Sequence, residues 1–459
     1  MKWITLISAA TVFFSIPAQA QHTFPSFADL VEKTQPSVVN ISTVKLPEQS
    51  EDADIPQAEE FLQQKNPQQV SLGSGFIIDE GGFIVTNNHV IDGAKEITVT
   101  TADNQHFDAT VVGTDAKTDI ALIKINGDKN FQALSLGDSD AIRVGDWILA
   151  IGNPFGLGGS VSAGIISAKS RDIESGPYDN FIQTDASINQ GSSGGPMLNL
   201  NGEVIGVSTA IFSTSGGNMG IGFATPINQI KFVLKNLKEK GLVERGWIGL
   251  KIQPNTEDIA GSLNQQSAKG VVVSAVTQES PAAKAGIEAG DIILAFAGQS
   301  VDNARDFSRL VAETAIGQKA EIKLWKDKKE QLVFVDIDKM PEEKQVVQVK
   351  TPVKAEQDGF NELGLKLAEV SPDIINAYQL QPQQQGLVVE DVKTDSDAEL
   401  KGVKKGVVIT HLDKKPVFDI NDVETYIAEA KAENNRPVLL LIEENNVPHY
   451  AAIKLEKDE

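Results

Sequence analysis

The chain contains no cysteine. That excludes disulfides and zinc sites of the thiolate type, and it leaves stability to large apolar cores. Histidine is scarce too. The five present (His22, His89, His106, His411 and His449) show no ligand spacing, so no metal or other cofactor is expected. Basic residues are outnumbered: 41 Lys and Arg face 63 Asp and Glu, a formal net charge of −22. Nucleic acid and anionic membrane surfaces repel such a protein, so neither is expected as a main partner. The glycine-rich runs lack a Gly-Lys-Ser/Thr ending, so no P-loop supports nucleotide use.

Beyond the N-terminus no apolar run approaches the length of a membrane span, about 20 residues. The N-terminal run itself has the pattern of a secretion signal. Lys2 precedes the apolar stretch Trp3 to Ile16, and Ala18-Gln19-Ala20 is a small-x-small cleavage site. Residues 1–20 are therefore read as a signal peptide and the mature protein as exported to the periplasm. The alternative is an uncleaved anchor, for which the run is short. No cysteine follows the signal, so no lipid anchor is expected.

At 459 residues the chain is too long for one core. Pro25 to Gln35 reads as a short amphipathic helix with Phe27, Leu30 and Val31 on one face, and Val38 to Val44 as a strand. Residues 46–69 are polar, acidic and rich in glutamine, and read as a long mobile loop. From Ser71 to Ala224, short apolar runs alternate with Gly, Asp and Asn clusters, the pattern of a β barrel or sandwich. Thr225-Pro226 reads as a cap and first-turn proline opening a helix that stops near Gly241.

The chain then repeats itself. Gly249-Leu250-Lys251-Ile252 matches Gly364-Leu365-Lys366-Leu367, and Gly270-Val271-Val272-Val273 matches Gly386-Leu387-Val388-Val389. The offsets, 364 − 249 = 115 and 386 − 270 = 116, agree within one residue and indicate a duplicated domain. Residues 339–359, charged and with two prolines, read as the linker between the copies.

The chemistry concentrates in Asn189-Gln190-Gly191-Ser192-Ser193-Gly194-Gly195-Pro196. Glycines on both sides let the backbone turn sharply, so that amide groups can converge beside a serine hydroxyl. Acyl transfer needs that arrangement of nucleophile and oxyanion hole. Ser193 is the candidate nucleophile, His89 its base and Asp119 the group that orients the imidazole. The order His, Asp, Ser is that of chymotrypsin-fold triads. The amides of Gly191 and Ser193 are candidates for the oxyanion hole, with Ser192 between them. Singly, each motif has a plainer reading: a flexible turn, a core histidine, an aspartate ending a loop. Together, in order and within one β-rich segment, they point to a serine hydrolase.

The sequence resembles the HtrA family of serine proteases, in its bacterial DegP/DegQ form with two PDZ domains. The motifs that carry the resemblance are Gly73-Ser74-Gly75-Phe76-Ile77-Ile78, Thr86-Asn87-Asn88-His89-Val90, Thr118-Asp119-Ile120-Ala121-Leu122, Ala150-Ile151-Gly152-Asn153-Pro154-Phe155-Gly156, Gln183-Thr184-Asp185-Ala186 and Gly220-Ile221-Gly222-Phe223-Ala224. One departure is Ser192, where the family usually carries Asn; a hole built from backbone donors tolerates it.

The resemblance implies a mainly β protein: a chymotrypsin-like double β-barrel protease domain (21–243), followed by two PDZ domains, small β-barrels with helices (244–338 and 360–457). It implies that 155–160 and 170–178 are activation loops, with Arg171 as a regulatory residue, although a solvated surface arginine reads the same way. Ile188 and Ile221 fall where they would line the S1 pocket and favour small or β-branched P1 residues; either could instead be core. Trp247-Ile248-Gly249-Leu250 matches a loop that captures peptide C-termini, with the following strand accepting the peptide. In the second copy, Asn361-Glu362-Leu363-Gly364 brings an acid to that loop, so assembly stands beside peptide binding as its role. The implied partners are unfolded or misfolded polypeptides, exposed C-terminal peptides, and copies of the chain itself in trimers or larger cages, without stable membrane insertion. The function expected is ATP-independent proteolysis of misfolded envelope proteins, combined with chaperone activity and regulated through the first PDZ. A holdase chaperone or PDZ scaffold with little proteolysis is the alternative; the complete His89, Asp119 and Ser193 set speaks for the protease.

Overall fold

The computed structural model describes residues 26–45, 71–127, 130–153, 159–213, 217–341, 360–378, 380, 381, 384–433, 435–444 and 447–456. The expected signal peptide, the loop 46–69 and residues 342–359 of the expected linker lie outside them.

After helix α1 (Ala28–Thr34), six strands close into a barrel: β1 (Val38–Lys45), β2 (Ser71–Ile77), β3 (Phe83–Thr86), β4 (Ala94–Thr100), β5 (His106–Asp115) and β6 (Ile120–Ile125), in the order β1-β2-β3-β6-β5-β4. Helix α2 (Asn88–Ile91) interrupts the run after β3. A second barrel follows with β7 (Trp147–Gly152), β8 (Ser160–Arg171), β9 (Phe181–Thr184), β10 (Pro196–Leu198), β11 (Val204–Ile211) and β12 (Gly222–Pro226), ordered β10-β11-β12-β9-β8-β7.

Apolar runs such as Ile120-Ala121-Leu122-Ile123 form strands buried on both faces because each face meets a different core. Ala121 and Ile123 point into the first barrel with Ile41, Ile84 and Val99. Ile120 and Leu122 point out into a cluster shared with the second barrel. Strand β7 repeats the alternation: Ile148 and Ala150 fill the second barrel, while Leu149 and Ile151 join the shared cluster. Side chains alternate along a strand, so two cores are served at once. Each fully buried isoleucine or leucine is worth about 1.5–3 kcal/mol.

Helix α3 (Ile227–Lys240) seals the shared cluster with Ile230, Val233, Leu234 and Leu237. It ends at Gly241, whose φ of 74° lets the Gly241 amide reach back to the Leu237 carbonyl. The start differs from the sequence reading. Thr225 belongs to β12 and Pro226, extended at ψ 140°, is the residue before the first turn. The Thr225 hydroxyl bonds across the sheet to Thr209 Oγ1 at 2.9 Å, so it does not cap the helix. Cross-strand pairing has won over the local capping preference.

The remaining chain forms two six-stranded sheets of one design and, in the first repeat, a further two-stranded sheet. In the first repeat, β13 (Gly246–Trp247) precedes β14 (Leu250–Pro254), α4 (Glu257–Ser262), β15 (Val271–Val276), α5 (Pro281–Lys284), β16 (Ile292–Phe296), β17 (Gln299–Ser300), α6 (Ala304–Glu313), β18 (Lys319–Lys326), β19 (Lys329–Asp336) and β20 (Asp338–Lys339). In the second, β21 (Leu365–Glu369), α7 (Pro372–Tyr378), β22 (Leu387–Val392), α8 (Asp397–Leu400), β23 (Val408–Leu412), β24 (Lys415–Pro416), α9 (Ile420–Ala432), β25 (Val438–Glu444) and β26 (Val447–Ile453) follow the same path. Strand orders are β14-β15-β16-β18-β19 and β21-β22-β23-β25-β26. Even the irregularities repeat. Register shifts fall at Lys251/Ile252 and Ile293/Ala295 in one copy, and at Lys366/Leu367 and Ile409/His411 in the other.

The two repeats pack through their sheets. Val272 and Ile292 meet Leu439, Leu441, Tyr450 and Ala452, with Ile259 of α4 at the edge. The Gln253 amide pairs with both backbone groups of Tyr450, donating to its carbonyl at 3.0 Å and accepting from its N–H at 2.6 Å. Lys414 reaches into the first repeat against Gly290. Burial there pushes the Asp291 carboxyl above its usual range and the Lys414 ammonium below its own.

Candidate active site

His89 is the second residue of α2, and that helix is held in place by its neighbours. Val90 and Ile91 are buried in the first barrel's core, which leaves His89 facing outward, about half exposed. Asp119 directly precedes β6 in the left-handed conformation, φ 55°. Its carboxylate grips His89 twice: Oδ2 lies 2.6 Å from Nδ1, and Oδ1 accepts the His89 backbone N–H at 2.9 Å. A carboxylate only accepts, so Nδ1 carries a proton, and in the neutral imidazole Nε2 keeps its lone pair. The Asp119 carbonyl is held in turn by the Asn87 side-chain amide at 2.7 Å and the Asn88 N–H at 3.1 Å.

Ser193 enters from the second barrel. The turn before it, Asn189 to Ser192, is closed by the Ser192 N–H on the Asn189 carbonyl at 2.9 Å. Gly191 occupies its third position at φ 89°, the pattern of a type II turn that favours glycine there. The Ser192 amide is thus spent inside the turn. Among the described residues, those of Gly191 and Ser193 donate to no protein group. The Ser193 hydroxyl likewise makes no hydrogen bond among the described residues; in free hydrolases the bond to the base commonly tightens only with substrate.

The barrels are stitched together beside this turn. Ser74 of β2 donates its N–H to the Ser193 carbonyl at 2.8 Å and its hydroxyl to the Gly191 carbonyl at 2.7 Å. The Asn87 side-chain amide also reaches Thr209 Oγ1 of β11 at 3.3 Å. A cavity of about 350 Å³ opens beside the pair, lined by His89, Thr118, Asp119, Tyr178, Phe181 and Thr209 among others. Ile188 is buried in the second barrel's core, where a Cβ on Gly222 would come within 2.8 Å of it. Ile221 is half-buried, its carbonyl accepting the Phe212 N–H.

A trypsin-like peptidase domain model matches residues 73–207, and a PDZ domain model matches residues 246–337. A probable periplasmic serine endoprotease, DegP-like, of Brucella suis is 43% identical over 394 residues, covering 85% of this chain and 74% of its own. One of the same description from Bartonella henselae is 38% identical and covers 99% of this chain and 93% of its own. The solved structure of the HtrA-type protease AlgW with a tripeptide is 39% identical, with a TM-score of 0.60 over 70% of this chain and 99% of that one. The chain belongs to the HtrA family of periplasmic serine endoproteases.

In this HtrA protease the loop expected to capture peptide C-termini, Trp247 to Leu250, opens the first repeat. Gly249 has φ 83° and fits only without a side chain, because a Cβ would come within 2.2 Å of Ser280 Cβ. The loop's carbonyls are tied back, Ile248 accepting the Ala282 N–H and Gly249 the Thr277 N–H. The amides of Ile248 and Gly249 donate to nothing among the described residues. Strand β14 is the edge strand of its sheet.

The second repeat differs at this loop. The Asn361 side-chain oxygen accepts the amides of Leu363 and Leu365 at 3.0 and 3.1 Å, and the Asn361 carbonyl takes the Gly364 amide. Glu362 is tied across to Lys431 of α9 at 2.6 Å. The first repeat has Gly246 where the second has Asn361, at 361 − 246 = 115, and so has no side chain to do this.

Three connections were not foreseen from sequence. The Ser74 clamp is one. The second joins the protease domain to the first PDZ: Arg245, directly before the capture loop, makes a bidentate pair with Asp115 at 2.9 and 2.6 Å, both side chains buried. The guanidinium lies over the Tyr178 ring, 4.6 Å from its centroid, and Thr118 donates to Asp115 at 2.5 Å, one residue from Asp119. The third is an ion pair between Asp172 and Arg305 of α6. Arg171, the residue singled out in sequence, is exposed, and its Nε donates to Gln183 on the neighbouring strand at 2.9 Å. Residues 154–158 and 214–216 of the surrounding loops lie outside the described residues.

Proposed function

We propose that Ser193 is the nucleophile, His89 the general base and Asp119 the orienting group. His89 Nε2 takes the hydroxyl proton as Ser193 Oγ attacks the scissile carbonyl. Asp119 stabilises the imidazolium that forms, and the proton passes to the leaving amine. The amides of Gly191 and Ser193 bind the oxyanion. The observation that supports this most is the double grip of Asp119 on His89, which fixes the tautomer a base needs. The positive φ of Gly191, with its amide unspent, fits a hole that is already formed. Ile188 and Ile221 are assigned to the S1 wall.

In this reading the substrates are unfolded or misfolded envelope proteins. Peptide C-termini bind at Trp247, Ile248, Gly249 and Leu250 and regulate cleavage, with chaperone activity alongside. Relatives solved with bound peptides support a peptide ligand. Assembly into trimers or larger cages, a cleaved signal and the boundaries 21–243, 244–338 and 360–457 belong to the same proposal.

The test is labelling with a fluorophosphonate. Wild-type protein should be modified on Ser193 and should cleave an unfolded casein. Ser193→Ala should do neither while keeping its circular dichroism and its mass in light scattering. Cleavage by the variant near the wild-type rate would sink the assignment.

A further inference from the structure

Ser74 is fully buried, and all its polar groups are engaged. Its hydroxyl donates to the Gly191 carbonyl at 2.7 Å and accepts the Asn153 N–H at 2.8 Å. Its N–H donates to the Ser193 carbonyl at 2.8 Å, and its own carbonyl accepts the Thr86 hydroxyl at 2.7 Å. One residue of the first barrel therefore holds the two carbonyls on either side of Ser192 in the second. We propose that the Ser74 hydroxyl is a positioning group for the oxyanion hole, acting through the Gly191 carbonyl.

The argument turns on glycine. Gly191 stands at φ 89°, and with no Cβ it pays little to rotate to negative φ. Such a rotation would convert the turn from type II toward type I and swing the Gln190–Gly191 amide away from the hole. Little else opposes it locally, since the Asn189 to Ser192 closure is compatible with either turn type. The Gly191 carbonyl lies on the same peptide as the Ser192 N–H, so the Ser74 hydroxyl and the turn closure together hold that peptide plane, and with it the Gly191 Cα from which the amide is aimed. Removing the oxygen strands two buried groups, the Gly191 carbonyl and the Asn153 N–H, which must find new partners. Reorientation of the turn is one way to supply one. The backbone bond from Ser74 to Ser193 survives any substitution at this position, so the nucleophile stays tethered while Gly191 is released.

This inference rests on Ser193 being the nucleophile. The experiment compares wild type, Ser74→Ala and Ser74→Thr on a chromogenic peptide, and measures the affinity of a peptide boronate that forms a tetrahedral adduct. Loss of a whole oxyanion donor costs roughly 100–1,000-fold in kcat, so partial misplacement in Ser74→Ala should cost about 10–100-fold. KM should move by no more than about twofold, because ground-state binding is untouched. Boronate affinity should fall in step with kcat, and Ser74→Thr should recover most of both. Should Ser74→Ala not stay folded by circular dichroism, Ser74→Cys carries the same test, because the thiol keeps the bulk and is only a weak donor. A kcat unchanged in Ser74→Ala or Ser74→Cys, with only the melting temperature lowered, would overturn the proposal and leave the hydroxyl a structural group. Wild type that fluorophosphonate does not label would overturn the hydrolase reading and this inference with it.

Discussion

At the scale of single residues, the nucleophile turn depends on positions where no side chain fits. Gly194 has φ 87°, and a Cβ there would lie 2.1 Å from the Ser74 carbonyl oxygen and 2.4 Å from Thr86 Oγ1. Both obstacles belong to buried residues of the other barrel. Gly194→Ala should therefore lose fluorophosphonate labelling and destabilise the protein by more than about 1 kcal/mol, read from urea denaturation. Full labelling with unchanged stability would mean the turn can shift away from Ser74. The legibility of the site follows the same division. The proposed triad of His89, Asp119 and Ser193 stands out in sequence because each residue sits in a short motif whose neighbours suit the chemistry. The proposed role of Ser74 does not, since its partner Gly191 is 117 residues away and only the packing of two barrels brings them together.

Secondary structure was legible where one face of an element has one job. Strands β6 and β7 announced themselves as apolar runs, and the repeated PDZ sheet as a constant offset. The start of α3 was misplaced because Thr225 is needed for a cross-strand bond, a demand that leaves no local mark. The weaker status of the second capture loop was read from Glu362. The structure adds a different cause, Asn361, whose side chain and backbone carbonyl between them take the amides of Leu363, Gly364 and Leu365. One peptide per chain should therefore bind the full-length protein. A fluorescent peptide with an apolar C-terminus should titrate with a stoichiometry of one, and its C-terminal amide should bind far more weakly. Two equivalent sites would show that Asn361 yields to the ligand.

Across the whole molecule, the buried Arg245–Asp115 pair is the firmest polar link between the protease domain and the first PDZ. Arg245→Ala would leave the buried Asp115 carboxylate without its cation and with the Thr118 hydroxyl as its side-chain donor. Breaking a buried pair from one side costs about 3–5 kcal/mol, visible as a lower midpoint in thermal denaturation. Thr118 shares the Asp115 carboxylate and adjoins Asp119, so the variant should also lose kcat on a small peptide that never touches the PDZ domain. A normal kcat on that peptide would mean that the link holds the domains together without bearing on the triad. Sequence reading placed the regulatory contact at Arg171, which faces its own sheet. The ion pairs described between the protease domain and the first PDZ are made by Asp115 and Asp172, acidic residues in a chain full of them, and nothing local distinguishes these two.

The stitching of Ser74 to the nucleophile turn also bears on the birth of the enzyme. In the proposed assignment, base and orienting acid come from one barrel, nucleophile and oxyanion amides from the other, and the clamp on the Gly191 and Ser193 carbonyls again from the first. A chain whose second barrel has folded alone holds Ser193 in a turn closed by its own Asn189–Ser192 bond but without the two bonds from Ser74. A chain with only the first holds a charged pair with nothing to activate. Cutting power arrives only when both halves have closed on each other. An enzyme divided this way has its own incompleteness as a safety catch while it folds.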